Sequence, residues 1–356
     1  MTDQQGQERG ERGAALDIGS NTVHLLVAAW RDGRIEPLDD ASELVGLARG
    51  VYAGKMIAPE SLDRAVAAVE KLVERARSKD AKVVRLVATA AVRDATNKDD
   101  LIAAVRRRTG LDLEIIDGER EAALSYQGAS AGEDGGAQQV CDVGGGSTEV
   151  IRAEHGHIIL QTSLPLGSSR LADLYHADPP AADELARVDD AATRALTGLP
   201  EWRPARLIVT GGTATTLAHV AGARERRYVM STKELSSQRE LFARETAGAI
   251  AHSYGVEGAR ARLLPAGAAI IAALCAATGA ADVVLTGAGL RDGLLIEYFT
   301  QGYGDTWLKR TRSRGSRPRS RSRTLDVSLS ITVSRRCGHI AKARWPATRT
   351  RCTICA

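Results

Sequence analysis

The chain writes one short pattern twice, and that duplication limits its fold more than any other feature. Asp17-Ile-Gly-Ser-Asn-Thr22-Val-His-Leu-Leu-Val27 returns 125 positions later as Asp142-Val-Gly-Gly-Gly-Ser-Thr148-Glu-Val-Ile151. Each copy follows an apolar run and enters another. Each sets a carboxylate at a strand end, then small residues, then hydroxyls, then a second strand, which is the layout of a hairpin. A single Gly/Ser/Asn turn between strands is usually only a turn. A pair with the same acid–turn–hydroxyl order points to chemistry. Glycines let backbone N–H groups approach phosphate oxygens closely. Hydroxyls add donors, and a carboxylate holds hydrated Mg²⁺. Two such hairpins facing each other would enclose a phosphate-sized anion and a divalent cation between two domains.

The elements around the hairpins alternate. Strands are expected at 14–30 around the first turn and at Ile35–Val45, Val83–Ala88 and Leu113–Ile116. Leu62, Val66, Val69 and Val73 recur at helical spacing within a helix from Pro59 to Lys79. Lys98–Arg108 reads as a helix ending near Gly110, and Glu119–Gln127 as a short helix joining the two halves. The second half repeats the pattern. Strands are expected at 139–142, 158–161, 206–209 and 283–285, and helices at 168–175, 181–196, 266–277 and up to about Phe299. Such alternation is the mark of an α/β class.

Two further glycine clusters each stand between a strand and a helix, Thr210-Gly-Gly-Thr-Ala-Thr-Thr216 and Thr286-Gly-Ala-Gly-Leu-Arg-Asp-Gly293. That context places N–H groups at a helix N-terminus, ready for an anion, or else marks a close-packed turn. Neither matches the P-loop or the dinucleotide fingerprint.

Composition adds bounds. The 356 residues suit two domains, and 44% apolar content allows real cores. No run of 18 apolar residues exists, and the polar start from Met1 to Arg12 has no signal-peptide core, so a cytoplasmic location is expected. Charge is divided unevenly. Residues 306–356 carry 14 Lys and Arg against one acid, Asp326, which leaves the preceding body net acidic. Cys141 and Cys275 lie inside apolar runs and read as buried thiols in a reducing compartment.

The motif wording narrows the reading. Asp17-Ile-Gly-Ser-Asn-Thr22, Ala88-Thr-Ala-Ala-Val-Arg93-Asp-Ala, Gly118-Glu-Arg-Glu121-Ala-Ala-Leu, Asp142-Val-Gly-Gly-Gly-Ser-Thr-Glu149 and Gly287-Ala-Gly-Leu-Arg-Asp-Gly293 together resemble the exopolyphosphatase / guanosine pentaphosphate phosphohydrolase (Ppx/GppA) family over about residues 13–300. The resemblance implies two actin-like domains of the ribonuclease H-like, ASKHA superfold, at 13–125 and 126–300, with the active site in the cleft between them. The final helix is a candidate to pack back on the first domain. It implies hydrolysis of a terminal phosphoanhydride, on inorganic polyphosphate or pppGpp, with Mg²⁺ or alternatively Mn²⁺, and a homodimer as the expected assembly.

Residue by residue, the resemblance puts Glu121 at the catalytic glutamate and Asp17 and Asp142 at the metal and water-orienting carboxylates. It puts Ser20, Asn21, Arg93, Gly145, Gly146, Ser147 and Thr148 at phosphate contacts, and Gly211, Gly212 and Thr213 at the loop near the distal part of the substrate. The chemistry suits phosphoryl transfer, which needs charge neutralisation, in-line placement and a positioned water. Arg93 offers a bidentate fork, and a glutamate at a domain junction can deprotonate water. Blander readings stand beside these: Glu121 as a solvated acid at a helix start, and Arg93 as an ion pair with Asp94 or Asp117. Arg120 departs from the family, which often has an acid there. Glu119 is the fallback for the base.

After Phe299 the resemblance stops. The Arg/Ser run at 312–323 is low-complexity and reads as disordered alone. Its functional reading is a polyanion-binding arm, and its bland reading is a shifted reading frame or recent extension. Cys337, His339, Cys352 and Cys355 have spacings that zinc ligands use, against the same bland reading. For the body, three alternatives to an exopolyphosphatase remain: a pppGpp 5′-phosphohydrolase, a kinase of the same superfold, and a non-catalytic polyphosphate- or alarmone-binding module.

Overall fold

Residues 11–47, 51, 54–133 and 136–301 are described by a computed structural model. The basic tail and its Cys337, His339, Cys352 and Cys355 lie outside the described residues, as does the start of the chain.

Two sheets of matching plan organise the body. The first contains β1 (Arg12–Ile18), β2 (Thr22–Arg31), β3 (Arg34–Leu44), β4 (Val83–Ala88) and β5 (Glu114–Ile115), in the order β3-β2-β1-β4-β5. The second contains β6 (Gln138–Val143), β7 (Thr148–Glu154), β8 (His157–Leu164), β9 (Arg206–Thr210), β10 (Arg227–Ser231) and β11 (Asp282–Thr286), in the order β10-β11-β9-β6-β7-β8. In each, an antiparallel three-strand meander is followed by strands parallel to its first member, except that β10 lies antiparallel beside β11 at the edge of the second sheet.

The duplication extends to local geometry. Gly19 N donates to Thr22 O and Gly144 N to Ser147 O, both at 3.0 Å, and these pairs are 125 positions apart. A register irregularity falls between Val27 and Ala28 in one sheet and between Arg152 and Ala153 in the other, again 125 apart.

Helices cover the sheets where apolar spacing predicts. In the first lobe they are α1 (Pro59–Ser78), α2 (Ala90–Asp94) and α3 (Lys98–Thr109). α1 buries Ala65, Val69, Leu72 and Val73 on the face of Leu16, Leu25 and Val27. α4 (Gly118–Ala129) joins the lobes. The second lobe adds α5 (Ser168–Ala172), α6 (Ala182–Leu196), α7 (Gly212–Val220), α8 (Thr232–Arg244), α9 (Ala247–Tyr254), α10 (Gly258–Ala261), α11 (Leu264–Thr278) and α12 (Leu290–Gln301). No helix among the described residues is long and apolar enough to cross a membrane.

The stretch 227–262 carries β10, α8, α9 and α10, which the apolar spacing of the sequence does not announce. Its signals are caps. Ser231 Oγ accepts from Glu234 N at 3.2 Å, and Thr246 Oγ1 accepts from Ala249 N at 3.1 Å, the side-chain caps that start helices.

α4 belongs to both lobes. Leu124 packs with Ala15, Leu26 and Val87 of the first sheet, while Ala122 and Ala129 pack with Val140, Ile151 and Ile208 of the second. α12 leaves the second lobe and buries Leu290, Leu294 and Leu295 in the first-lobe cluster beside Leu124. α4 and α12 cross backbone to backbone. A methyl on Gly128 would collide with Gly289 O, and one on Gly293 with Leu124 O. Arg120, the departure from the family pattern, forms an ion pair with Glu297 across this crossing.

Candidate active site

Both hairpin turns open into one cleft of about 380 Å³ between the lobes. Asp17, Ser20, Asn21, Glu121, Asp142, Gly145, Gly146, Ser147, Gly211, Gly212 and Thr213 all line it. Residues spread over nearly 200 positions of the chain thus converge.

The second turn forms a cradle of amides by elimination. Gly144 O accepts from Ser168 N at 3.0 Å, Gly145 O from Ser169 N at 2.9 Å and Arg170 N at 3.1 Å, and Gly146 O from Arg170 Nε at 3.1 Å. A trans peptide points its N–H opposite its C=O. The N–H groups of Gly145, Gly146 and Ser147 therefore turn away from α5 and toward the cleft, where an anion can accept from them. A side chain on Gly145 would meet Ser169 Oγ at 2.7 Å and Ser20 Cβ at 3.1 Å, so the two turns approach as closely as they do only because that position is glycine. Asn21 Nδ2 donates to Ser169 Oγ across the gap. Gly211 has φ +99°, and a Cβ there would stand 2.8 Å from Asp142 Oδ1, so the third glycine loop rests directly on that carboxylate.

Glu121 occupies the first turn of α4, whose N-cap Asp117 accepts from Arg120 N at 2.8 Å. Glu121 is buried whereas Glu119 is exposed, so helix geometry selects the former for the cleft. Arg93 does not line the cleft. It stands behind Glu121, donating from Nη1 to Glu121 Oε2 at 3.1 Å and to Ile116 O at 2.9 Å. Its partner is thus neither Asp94 nor Asp117. Thr148 does not reach the cleft either. It is fully buried and its hydroxyl donates to Leu166 O at 2.6 Å. Side chains alternate along a strand, so Ser147 and Glu149 share one face of β7 and Thr148 takes the other.

That alternation also exposes a residue the motif reading passed over. Glu149 is 1% exposed and accepts from Ser163 Oγ at 2.7 Å. Burial, then repulsion from Asp142, pushes its carboxyl up to about 7. Glu121 is raised well above the usual carboxylate range, first by burial, then by Glu149, Asp142 and Asp17, with Arg93 opposing. Asp17 is pushed up to about 7, chiefly by burial, with Arg291 pulling it down and Asp142 pushing it further. Asp142 is raised by burial, against the hydrogen bond from Ser125 and the charge of Arg291. Four carboxylates crowded this way repel one another until positive charge arrives.

Two arginines and a histidine complete the wall. Arg260 Nη2 donates to Ser42 Oγ at 3.0 Å, and Arg291 Nη1 donates to Asp40 Oδ1 and Leu25 O at 3.1 Å each. His24 is held well below its usual range by burial, then by Arg291 and Arg260, so it is neutral near pH 7. Arg291 lies inside the fourth glycine motif and was legible there. Arg260 carries no local signal.

The donor set fits a hard cation. Asp17 Oδ1 is buried without a hydrogen-bond partner, and Asp142 faces it from the other lobe. No cluster of three His, Cys, Asp or Glu able to hold a metal exists among the described residues. Two carboxylate oxygens with water and phosphate completing the shell is the way Mg²⁺ binds beside phosphates.

Comparison with known proteins agrees with this fold. The model of the Ppx/GppA phosphatase family matches residues 26–301. Exopolyphosphatase 1 of Mycobacterium tuberculosis is 31% identical over 296 residues, covering 79% of this chain and 86% of that protein. The crystal structure of an exopolyphosphatase from Cytophaga hutchinsonii superposes with a TM-score of 0.75 at 26% identity, covering 82% of this chain and 98% of that one. The Aquifex aeolicus Ppx/GppA family member shares the fold, with a TM-score of 0.70 at 24% identity over 83% of this chain and 99% of its own. The repeated hairpins, the two-sheet plan and these matches lead to one conclusion: the chain belongs to the Ppx/GppA phosphatase family.

Proposed function

We propose that the protein is an exopolyphosphatase, which removes the terminal phosphate of inorganic polyphosphate using a water activated by Glu121. The observation that carries this reading is the placement of Glu121: a buried carboxylate of raised proton affinity facing the amide cradle of the second hairpin. A general base works best when its pKa lies near the operating pH, and burial, then the neighbouring carboxylates, raise that of Glu121 above the usual carboxylate range.

The chain's own residues divide the work. The amides of Gly145, Gly146 and Ser147 and the hydroxyl of Ser20 receive the terminal phosphate, while the Ser147 hydroxyl bonds to the Glu149 carboxyl. Glu121 takes a proton from the water that attacks phosphorus. The P–O bond to the shortened chain breaks, and the chain leaves as the anion. Arg93 holds the Glu121 carboxylate in place. Asp17 and Asp142 are the residues that would hold Mg²⁺, which when bound offsets the negative charge of phosphate and carboxylates together. Arg260, Arg291 and the Gly211–Thr213 loop also line the cleft, and their charge and amides suit the further phosphates of a chain. The names of the relatives support polyphosphate as the substrate.

Phosphate release from long-chain polyphosphate, pppGpp and ATP, measured side by side with Mg²⁺, tests the reading. The expected order places polyphosphate first. Faster release from pppGpp would assign the protein to the other activity of the family.

A further inference from the structure

We propose that Ser125 is a positioning residue that fixes the carboxylate of Asp142 for cation binding and couples it to the helix that carries Glu121. The inference rests on the reading of Asp142 as a cation-holding carboxylate. Ser125 stands four residues after Glu121 in α4, so the two side chains leave the same helix face one turn apart. Ser125 is 0% exposed, and its Oγ donates to Asp142 Oδ2 at 2.6 Å. With Oδ2 tied down, the rotation of the carboxylate is set. The other oxygen, Oδ1, then lies against Gly211, where the missing side chain leaves it room. One helix face thus presents the base and, a turn later, orients the acid of the opposite lobe's hairpin.

A second serine serves as the comparison. Ser163 Oγ also donates to a carboxylate, Glu149 Oε1, at 2.7 Å, but Ser163 is exposed. Water can take its place when the hydroxyl is removed. Ser125 is fully shielded by the two elements it joins, so deleting its hydroxyl removes the donor that fixes Asp142 Oδ2.

The test uses the full chain without substrate and Mn²⁺ as the probe, with binding followed by calorimetry or electron paramagnetic resonance. Loss of a partner that orients a ligating side chain typically weakens metal binding about 10- to 100-fold. That loss is expected for Ser125→Ala. Ser125→Thr, which keeps the hydroxyl, should restore affinity close to the parent, and Ser163→Ala should leave it near the parent value. Should Ser125→Ala not fold, the near-isosteric pair Ser125→Thr and Ser125→Val carries the same comparison. Parent-like Mn²⁺ affinity in Ser125→Ala, or equal weakening in the Thr and Ala variants, overturns the proposal. A parent whose Mn²⁺ affinity is untouched by Asp142→Asn overturns instead the cation reading of Asp142, and the role of Ser125 falls with it.

Discussion

Arg93 Nη1 lies 3.1 Å from Glu121 Oε2, joining the end of α2 to the start of α4. Among the described residues this is the one positive charge in contact with the proposed base, and it pulls the Glu121 carboxyl down against burial and three acids. Replacing Arg93 by Met removes that pull, so the Glu121 pKa rises further. The acid limb of the rate–pH profile should move to higher pH, and Arg93→Lys should move it less. A limb that stays in place in Arg93→Met separates Arg93 from the base.

Glu121→Gln keeps size and shape and removes proton acceptance. Turnover should fall by about 10²- to 10⁴-fold, the usual effect of losing a general base, with the circular dichroism spectrum unchanged. Glu119→Gln, at an exposed position, serves as the control and should retain parent activity.

Glu149→Gln tests the electrostatic crowding through stability. The folded-state carboxyl is raised to about 7, above the unfolded value near 4. The folded protein therefore holds a proton that the unfolded chain releases, and stability falls as pH rises from about 4 to 7. In metal-free buffer at pH 8 the Gln variant should melt a few degrees above the parent. Near pH 4 the two should coincide. Equal melting temperatures at pH 8 would mean that no penalty resides in this carboxyl.

Gly128→Ala places a methyl against Gly289 O at the α4–α12 crossing. Overpacking of this kind costs about 1–3 kcal/mol, visible as a lower midpoint in urea. Gly198→Ala, with open space around it, should stay within about 0.5 kcal/mol of the parent.

Removing residues 306–356 should leave turnover on short substrates unchanged, because every proposed catalytic residue precedes it. If the arginines act on polyanions, the truncated protein will bind long polyphosphate more weakly, with a flatter salt dependence from the loss of counterion release. Identical binding at every salt concentration would leave the tail outside the function.

The parts of the site legible in the sequence are those encoded locally. The hairpins announce themselves because acid, glycine and hydroxyl sit within a few residues, and the copy at Asp142 repeats the copy at Asp17. Glu149 was legible in principle, two positions beyond Ser147 on the same strand face, yet the motif alone gives no weight to that alternation. Arg260 and Ser125 were not legible. Their roles depend on which distant element faces them, β3 in one case and the second hairpin in the other. Thr148 shows the converse, since a motif position can serve the backbone of the next loop rather than the ligand.

α4 gives Leu124 to one core and Ala122 and Ala129 to the other, while α12 departs one lobe to complete the other. Neither lobe can melt alone without tearing apolar side chains out of its neighbour. The body should thus lose its structure in one cooperative step, and calorimetry should show a single endotherm whose van't Hoff and calorimetric enthalpies agree, although the sequence builds its fold from two copies of one plan.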